Sequence, residues 1–220
     1  MRFDMHIHSS FSRDGAVSPR DVLSRCSKLG LAGCAITDHN QINGSLEAVT
    51  FSRDEGQIVI RGVEVSTLEG HVLAYGVGEI VPRGLSVAQT IEKIHDLGGV
   101  AVAAHPVRFP SGVGLEVAGR EKFDAVEVLN GGSSSRNNKK ARRLAESSSA
   151  PTTAGSDAHK LDEIGKAYVE VEGVATEDGM LDAIKRGLVR PGGRSRSVSE
   201  GLVYSGETLV EWMRGSFKRI

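Results

Sequence analysis

The sequence predicts an α/β fold, a small barrel of βα units, with an open doubly wound sheet as the alternative. Two observations carry that expectation. Short apolar, strand-like runs alternate with helix-length periodic stretches, the rhythm of βα units around a largely parallel sheet. Six of the seven histidines stand at the ends or starts of those runs, and the C-terminal rim of a (β/α) barrel is where residues from several strands converge.

Residues 3–8 form the first strand, where Phe3, Met5 and Ile7 alternate with Asp4, His6 and His8. A helix follows, with Ser18 as N-cap, Pro19 in its first turn, Asp21 three residues past the cap and Gly30 at its end. Residues 34–37, 58–65 and 71–75 read as the next strands. Ser86 and Gln89 make a capping-box pattern ahead of the stripe Val87, Ile91, Ile94 and Leu97, which Gly98-Gly99 closes. Residues 100–104 are wholly apolar and belong in a strand buried on both faces. Further strands are expected at 125–129, 152–156 and 168–171, with helices over 138–147 and 180–186. About seven or eight βα repeats result. Gly131-Gly132-Ser133 follows a strand but lacks the lysine and spacing of a P-loop.

The chain of 220 residues fits one domain, taken as 1–193, followed by a linker (194–205) and a short terminal helix (207–219) whose stripe is Leu209, Trp212, Met213 and Phe217. With 39% hydrophobic and 25% charged residues the composition is that of a globular protein, not a disordered one. No apolar run approaches the ~20 residues that cross a bilayer. The start, Met1-Arg2-Phe3-Asp4-Met5-His6, lacks the apolar stretch of a secretory signal, so the cytoplasm is the expected location and no membrane partner is expected. Cys26 and Cys34 have no metal-motif spacing and read as small buried hydrophobes. A net charge of −1 gives no global attraction to nucleic acid, although residues 185–220 carry eight basic and three acidic groups and 136–143 are also basic. Both stretches read as solvated faces.

The chemistry lies in the strand-end residues. His6 and His8 sit two apart on a strand, so both imidazoles face one side and can grip one ion; alone, such a pair is as often incidental as metal-binding. Asp14-Gly15 alone is usually a turn. His39 follows the second strand, and His71 opens a later one. Glu64 lies inside the apolar run 59–65, where an ionised carboxylate is costly without a cation or donor, which makes it the strongest single functional candidate. His105 follows five small apolar residues, and Asp157 and His159 end a late strand as a second two-apart pair. Three carboxylates in one pocket would repel without cations. The nitrogen and oxygen donors suit Zn, Mn or Fe better than Ca or Mg. His95, mid-helix, reads as a surface residue.

The full set resembles the PHP family, the polymerase and histidinol phosphatase domains. The matching motifs are His6-Ile7-His8-Ser9, Asp14-Gly15, Thr37-Asp38-His39-Asn40, Gly62-Val63-Glu64, Gly70-His71, Ala104-His105-Pro106 and Gly155-Ser156-Asp157-Ala158-His159, with Ile164-Gly165-Lys166-Ala167-Tyr168 beyond. The resemblance implies a distorted seven-stranded (β/α) barrel and a trinuclear site of divalent transition metals (Mn²⁺, Zn²⁺ or Fe²⁺). His6, His8, Glu64 and Asp157 would hold the first ion; Glu64, His71 and His105 the second; Asp14, His39 and His159 the third.

The implied activity is phosphoester hydrolysis by metal-activated hydroxide, with Glu64, Asp157 and His159 as catalytic residues. Arg13, Arg108 and Lys160 adjoin ligand positions and are the expected phosphate-binding cations, while Asp38 orients a ligand. The expected substrate is a small phosphomonoester or a nucleotide, including a 3′,5′-nucleotide bisphosphate. A 5′–3′ exonuclease acting on short RNA or DNA ends is one alternative, and a non-catalytic metal-binding module of nucleic-acid machinery is another. An amidohydrolase-type metallohydrolase fits less well, because no middle strand carries an inward lysine and Glu64, His71 and Asp14 would have no role.

Overall fold

The structure, a computed structural model, describes residues 1–197 and 199–201. In chain order its elements are β1 (Arg2–Ile7), α1 (Pro19–Lys28), β2 (Gly33–Ile36), α2 (Asn43–Ser52), β3 (Ile58–Ser66), β4 (His71–Tyr75), α3 (Val87–Asp96), β5 (Val100–Ala103), α4 (Leu115–Arg120), β6 (Ala125–Asn130), α5 (Ser135–Ser148), β7 (Thr152–Gly155), β8 (Ala167–Glu170), α6 (Glu177–Lys185) and β9 (Arg190–Gly193). The expected terminal helix over 207–219 lies outside the described residues. Among those described, no helix is long and apolar enough to cross a membrane.

One sheet runs in the order β7-β6-β5-β4-β3-β2-β1-β8-β9 and curls into a nearly closed, distorted barrel. The seam between β1 and β7 is bridged just past the strand ends, where Asp157 N–H donates to His6 O (2.8 Å) and His8 N–H to Ala158 O (2.9 Å). Gly155 makes that approach feasible, since a Cβ there would overlap the Cβ and backbone nitrogen of His6. Below the seam, the start of β1 pairs instead with antiparallel β8. Asp4 braces the same junction by accepting from the N–H groups of His6, Ser156 and Gly165. Burial pushes its carboxyl up to about 6 even though those bonds favour the charged form.

The sheet is mixed, which corrects the expectation of a largely parallel one: β4 runs antiparallel to both β3 and β5. Only residues 67–70 separate β3 from β4, and Thr67 N–H closes on Gly70 O (2.8 Å). A parallel crossover needs about a dozen residues, so this connection can only be a hairpin. The reversal matters because it brings the start of β4, with His71, level with the C-terminal end of β3, where Ser66 pairs with His71.

A second irregularity lies on β1. Asp4 pairs with Cys34 and Ile7 with Ile36, so β1 carries one extra residue, a bulge. Phe3 and Met5 join the barrel interior with Ile60, Leu73 and Tyr75, whereas Ile7 joins Val22, Leu23 and Ile36 under α1. Strict alternation along 3–8 therefore does not hold. The bulge turns His6 and His8 inward above the apolar plug formed by Met5 and Tyr75, whose hydroxyl donates across the barrel to Met5 O (2.7 Å). Cys26 and Cys34 are buried free thiols in the α1 layer.

Capping follows the sequence at α1 and α3: Ser18 accepts from Asp21 N–H, and Ser86 with Gln89 completes a capping box. Three elements have no counterpart in the sequence reading. α2 buries only small residues (Gly44, Ser45, Ala48) and has no side-chain cap; α4 has six residues; β9 reads Arg-Pro-Gly-Gly. β9 is an edge strand, where proline is tolerated. Beyond β9, Arg194 N–H and Arg196 N–H donate to Lys166 O and Ser133 O, so this stretch is tied to the barrel.

Gly155→Ala is expected to cost roughly 1–3 kcal/mol through overpacking at the β1–β7 seam. Thermal unfolding checks it: a fall in Tm of several degrees is expected, and an unchanged Tm would mean that the seam does not hold the barrel.

Candidate metal centre

Glu64 is fully buried at the end of β3, and five imidazoles surround its carboxylate. Oε1 lies 2.9 Å from His71 Nδ1 and 2.9 Å from His105 Nε2. Oε2 lies 3.2 Å from His8 Nε2, 3.2 Å from His39 Nδ1 and 3.4 Å from His6 Nε2. The strands deliver these groups as the fold dictates: His6 and His8 above the β1 bulge, His39 after β2, His71 at the reversed start of β4 and His105 after β5.

Asp157 Oδ1 lies 3.2 Å from His8 Nε2, 3.5 Å from His6 Nε2 and 3.9 Å from His159 Nδ1. Asp14 Oδ2, in the β1–α1 loop, lies 3.2 Å from His159 Nε2 and 3.6 Å from His39 Nε2. All nine ligand-type residues named from the sequence thus fall into overlapping groups, although the grouping differs in part from the one implied by resemblance. His105 stands with His6 and Glu64, His71 with His39 and Glu64, and His8 joins Asp14, His39 and His159.

The His6 Nε2–His8 Nε2 separation and those from each nitrogen to Glu64 Oε2 and Asp157 Oδ1 are 3.2–3.5 Å, close to the spacing of about 3.3 Å between ligand atoms that share one ion at bonds of about 2.0–2.1 Å. Two imidazole nitrogens 3.2 Å apart either share a hydrogen or turn both lone pairs toward one cation. Glu64 Oε2, His39 Nδ1 and His105 Nδ1 are buried without a hydrogen-bond partner, and such groups are costly unless satisfied. The donor set therefore fits bound divalent cations.

Electrostatics point the same way. Burial alone would raise the Glu64 carboxyl, yet His71, His39 and His6 hold it well below the usual carboxylate range. Asp157 is held low against burial by His6 and Arg108, and Asp14 against burial by His159 and His39. Burial opposes charge on His6, but Glu127, Asp157 and Glu64 raise it well above the ordinary imidazole value. The acids stay ionised and the pocket demands positive charge, which metal ions supply without protonating their ligands.

The backbone is also strained here. His105 (φ 27°) and Asp157 (φ 55°) adopt the left-handed region, and so does Asn40 (φ 53°) beside His39. Such conformations cost about 1–3 kcal/mol each and gather at functional sites.

Other sequence-named residues take distinct places. Arg108 donates to Asp157 Oδ2. Arg13 lines a cleft with Asp14 and His39. Lys160 is exposed, its backbone N–H on Glu163. Asp38 accepts from Ser9 N–H (2.6 Å) and Ser9 Oγ (2.7 Å), fixing the loop that follows His8. His95 pairs with Asp124 at 2.8 Å on α3, away from the centre.

Two residues that sequence reasoning passed over support the site. Ser12 Oγ accepts from His39 N–H (2.8 Å) and lies 3.2 Å from His8 Nδ1, linking two ligand-type histidines; nothing in its local sequence marks it. Glu127, buried on β6, pairs with His6 Nδ1 (3.0 Å) and accepts from His105 N–H (2.7 Å) and Asn130 Nδ2 (3.0 Å). With Nδ1 engaged by Glu127, His6 turns Nε2 to the centre. Its signal was legible, since Glu127 is an acid within the apolar run 125–129, as Glu64 is in its own strand.

The model of the family described as PHP-associated matches residues 135–189. An uncharacterized protein of Methanocaldococcus jannaschii is 38% identical over 116 residues, 48% of this chain and 68% of that protein. A 5′-3′ exoribonuclease of Haemophilus influenzae is 30% identical over 105 residues, 46% of this chain and 38% of the enzyme. A 3′,5′-nucleoside bisphosphate phosphatase of Chromobacterium violaceum is 35% identical over 83 residues, 36% of this chain and 29% of the enzyme. The chain thus spans well under half the length of those two enzymes. In fold it is similar to a two-domain Bacteroides vulgatus protein containing a predicted PHP-like metal-dependent phosphoesterase (TM-score 0.74, 16% identity, 88% of this chain and 65% of that one). With its nearly closed barrel and rim of histidines and acids, the chain belongs to the PHP domain family.

Glu127→Gln is expected to weaken retention of divalent metal about 10–100-fold, the usual size for loss of a carboxylate behind a ligating histidine, with little change in Tm. Competition with a chelating dye measures it, and unchanged retention would leave Glu127 a purely structural residue.

Proposed function

We propose that this hydrolase of phosphoric esters cleaves small phosphomonoesters or nucleotides at a centre of about three divalent transition-metal ions (Mn²⁺, Zn²⁺ or Fe²⁺). His6, His8, Asp14, His39, Glu64, His71, His105, Asp157 and His159 hold them. The observation that carries this reading is the buried Glu64 carboxylate ringed by five imidazoles, with one oxygen left without a hydrogen-bond partner. The names of two relatives, a bisphosphate phosphatase and an exoribonuclease, support phosphoester chemistry at such a centre.

Bound divalent ions supply Lewis acidity, which acidifies water and offsets charge on a phosphoryl oxygen. The chain's own residues do the rest. Glu64 faces two of the clusters at once, with Oε1 near His71 and His105 and Oε2 near His6, His8 and His39. Glu127 fixes the His6 ring, and Ser12 ties the His8 and His39 positions together. Arg108, held by Asp157, presents a guanidinium to the phosphate oxygens, a charge-assisted contact. Asp157 and His159 flank the reacting phosphate, and Lys160 adds positive charge at the mouth.

Nucleic-acid ends form the second reading, favoured by the exoribonuclease relative and by Arg136, Lys139, Lys140, Arg142 and Arg143, all exposed on α5. The near-zero net charge and 5% aromatic content support the small substrate instead. kcat/KM for a short RNA should therefore fall only shallowly with added salt. A steep fall, abolished when those five cations are neutralised and paired with poor turnover of mononucleotides, would favour a nuclease.

With Mn²⁺ and a generic phosphomonoester, Glu64→Ala is expected to lower kcat/KM by roughly a hundredfold or more, while His95→Ala leaves it unchanged. Equal losses in the two variants would place the chemistry elsewhere.

A further inference from the structure

Glu127 and Asp157 flank the His6 ring, one at Nδ1 and the other at Nε2, and a single amide joins the two carboxylates. Asn130, fully buried at the end of β6, donates from Nδ2 to Glu127 Oε2 (3.0 Å) and to Asp157 Oδ2 (3.3 Å). Neither oxygen it reaches is the one that faces an imidazole. Glu127 Oε1 pairs with His6 Nδ1, and Asp157 Oδ1 lies near His6 Nε2 and His8 Nε2. Arg108 also donates to Asp157 Oδ2, so Asn130 and Arg108 together turn Oδ1 toward the histidines.

The amide fits only one way round. Turned over, Oδ1 would face two carboxylate oxygens; as placed, it is buried without a hydrogen-bond partner among the described residues. An unpaired buried carbonyl oxygen is costly, so the site favours the two N–H donors over a satisfied oxygen. Gly132 leaves room for this arrangement. A Cβ there would lie 3.0 Å from Asp157 Oδ2 and 3.2 Å from both Arg108 Nη1 and Asn130 Oδ1. The backbone of Asn130 is held from the other side: its N–H donates to Asn138 Oδ1 (3.2 Å), and its O accepts from Asn138 Nδ2 (2.9 Å), a closed ring of two bonds from α5. Asn138 Nδ2 also donates to Ser195 Oγ (3.0 Å), in the stretch beyond β9. That stretch is fastened at Ser133 O by Arg196 N–H, and Glu200 pairs with Arg194 and Lys166.

We infer that Asn130 is a positioning residue of the metal centre. Its amide fixes the Glu127 and Asp157 carboxylates relative to each other, and Asn138, backed by Ser195, fixes Asn130. Two hydrogens on one nitrogen, diverging to two anions, are what an amide offers here and what a hydroxyl or a carboxylate does not. The stretch after β9, which the sequence assigns to a linker, thereby helps to hold the ligands in place. The inference rests on the metal-centre reading and adds a residue that acts only through Glu127 and Asp157.

Two variants test it. Asn130→Asp keeps the shape of the side chain and removes both donors. Asn138→Ala adds no charge, leaves both carboxylates and their partners in place, and frees the Asn130 backbone. Circular dichroism and Tm establish that each is folded at the assay temperature. Competition between the Mn²⁺-loaded protein and a chelating dye should show retention about 10–100-fold weaker in Asn130→Asp, the usual size for loss of a hydrogen bond behind a ligand. Asn138→Ala should shift it in the same direction, and His95→Ala should match wild type. In chelator-treated protein, long-range ¹H–¹⁵N spectra report the imidazoles without metal: the His6 signals should move in both variants while those of His95 stay. Wild-type Mn²⁺ retention in either folded variant, or unmoved His6 signals, overturns the inference. So does failure of both variants to fold, which would make Asn130 a residue of the fold alone. Wild-type protein that binds no Mn²⁺ contradicts the metal-centre reading instead, and the imidazole spectra still decide whether Asn130 sets the His6 side of the rim.

Discussion

An ionised carboxylate with no solvent exposure organises this molecule. Removing the Glu64 charge from water costs several kcal/mol unless opposite charge replaces the water, and at the end of β3 five imidazoles within 3.4 Å stand ready to share a cation with it. Each imidazole belongs to a different strand end or to the two-apart pair above β1. The centre therefore forms only when the sheet has curled far enough to bring its rim together. Glu127 and Asp38 extend the same arrangement outward: one carboxylate orients His6, and the other fixes the loop beyond His8.

Two departures from an ideal barrel aim the side chains. The one-residue bulge on β1 lets Phe3 and Met5 plug the interior while His6 and His8 still face inward above them. Without it, the alternation that buries Met5 would turn His6 toward the helices. The reversal of β4 achieves for His71 what a C-terminal strand end achieves elsewhere. Positive φ at His105 and Asp157 supplies the last adjustment at the chain's exit from β5 and β7. The interior plug and the seam at Gly155 oppose that strain, so stability is held below the rim and reactivity at it.

Much of this was legible in the sequence. The strand rhythm placed eight of the nine strands among the described residues to within one or two residues, and the histidines at run ends marked the rim. Glu64 stood out because its neighbours are all apolar or small, and Glu127 offered the same signal in residues 125–129. What sequence could not supply was direction and register. A single extra residue on β1 leaves no mark in an alternating pattern, whereas the four-residue β3–β4 connection did encode the hairpin through its length. α2 was hidden because it buries glycine, serine and alanine rather than an apolar stripe, and β9 because an edge strand tolerates Pro191 and Gly192.

The central claim is that cations, held jointly by Glu64 and its imidazoles, occupy the rim. Native mass spectrometry of protein purified without chelator and titrated with Mn²⁺ or Zn²⁺ tests it directly, with Glu64→Gln measured in parallel. Wild type should retain about two to three ions per chain, and Glu64→Gln should lose at least one while remaining folded. Wild-type protein that stays metal-free after reloading, or a Glu64→Gln variant that retains the same number of ions at the same affinity, would contradict it.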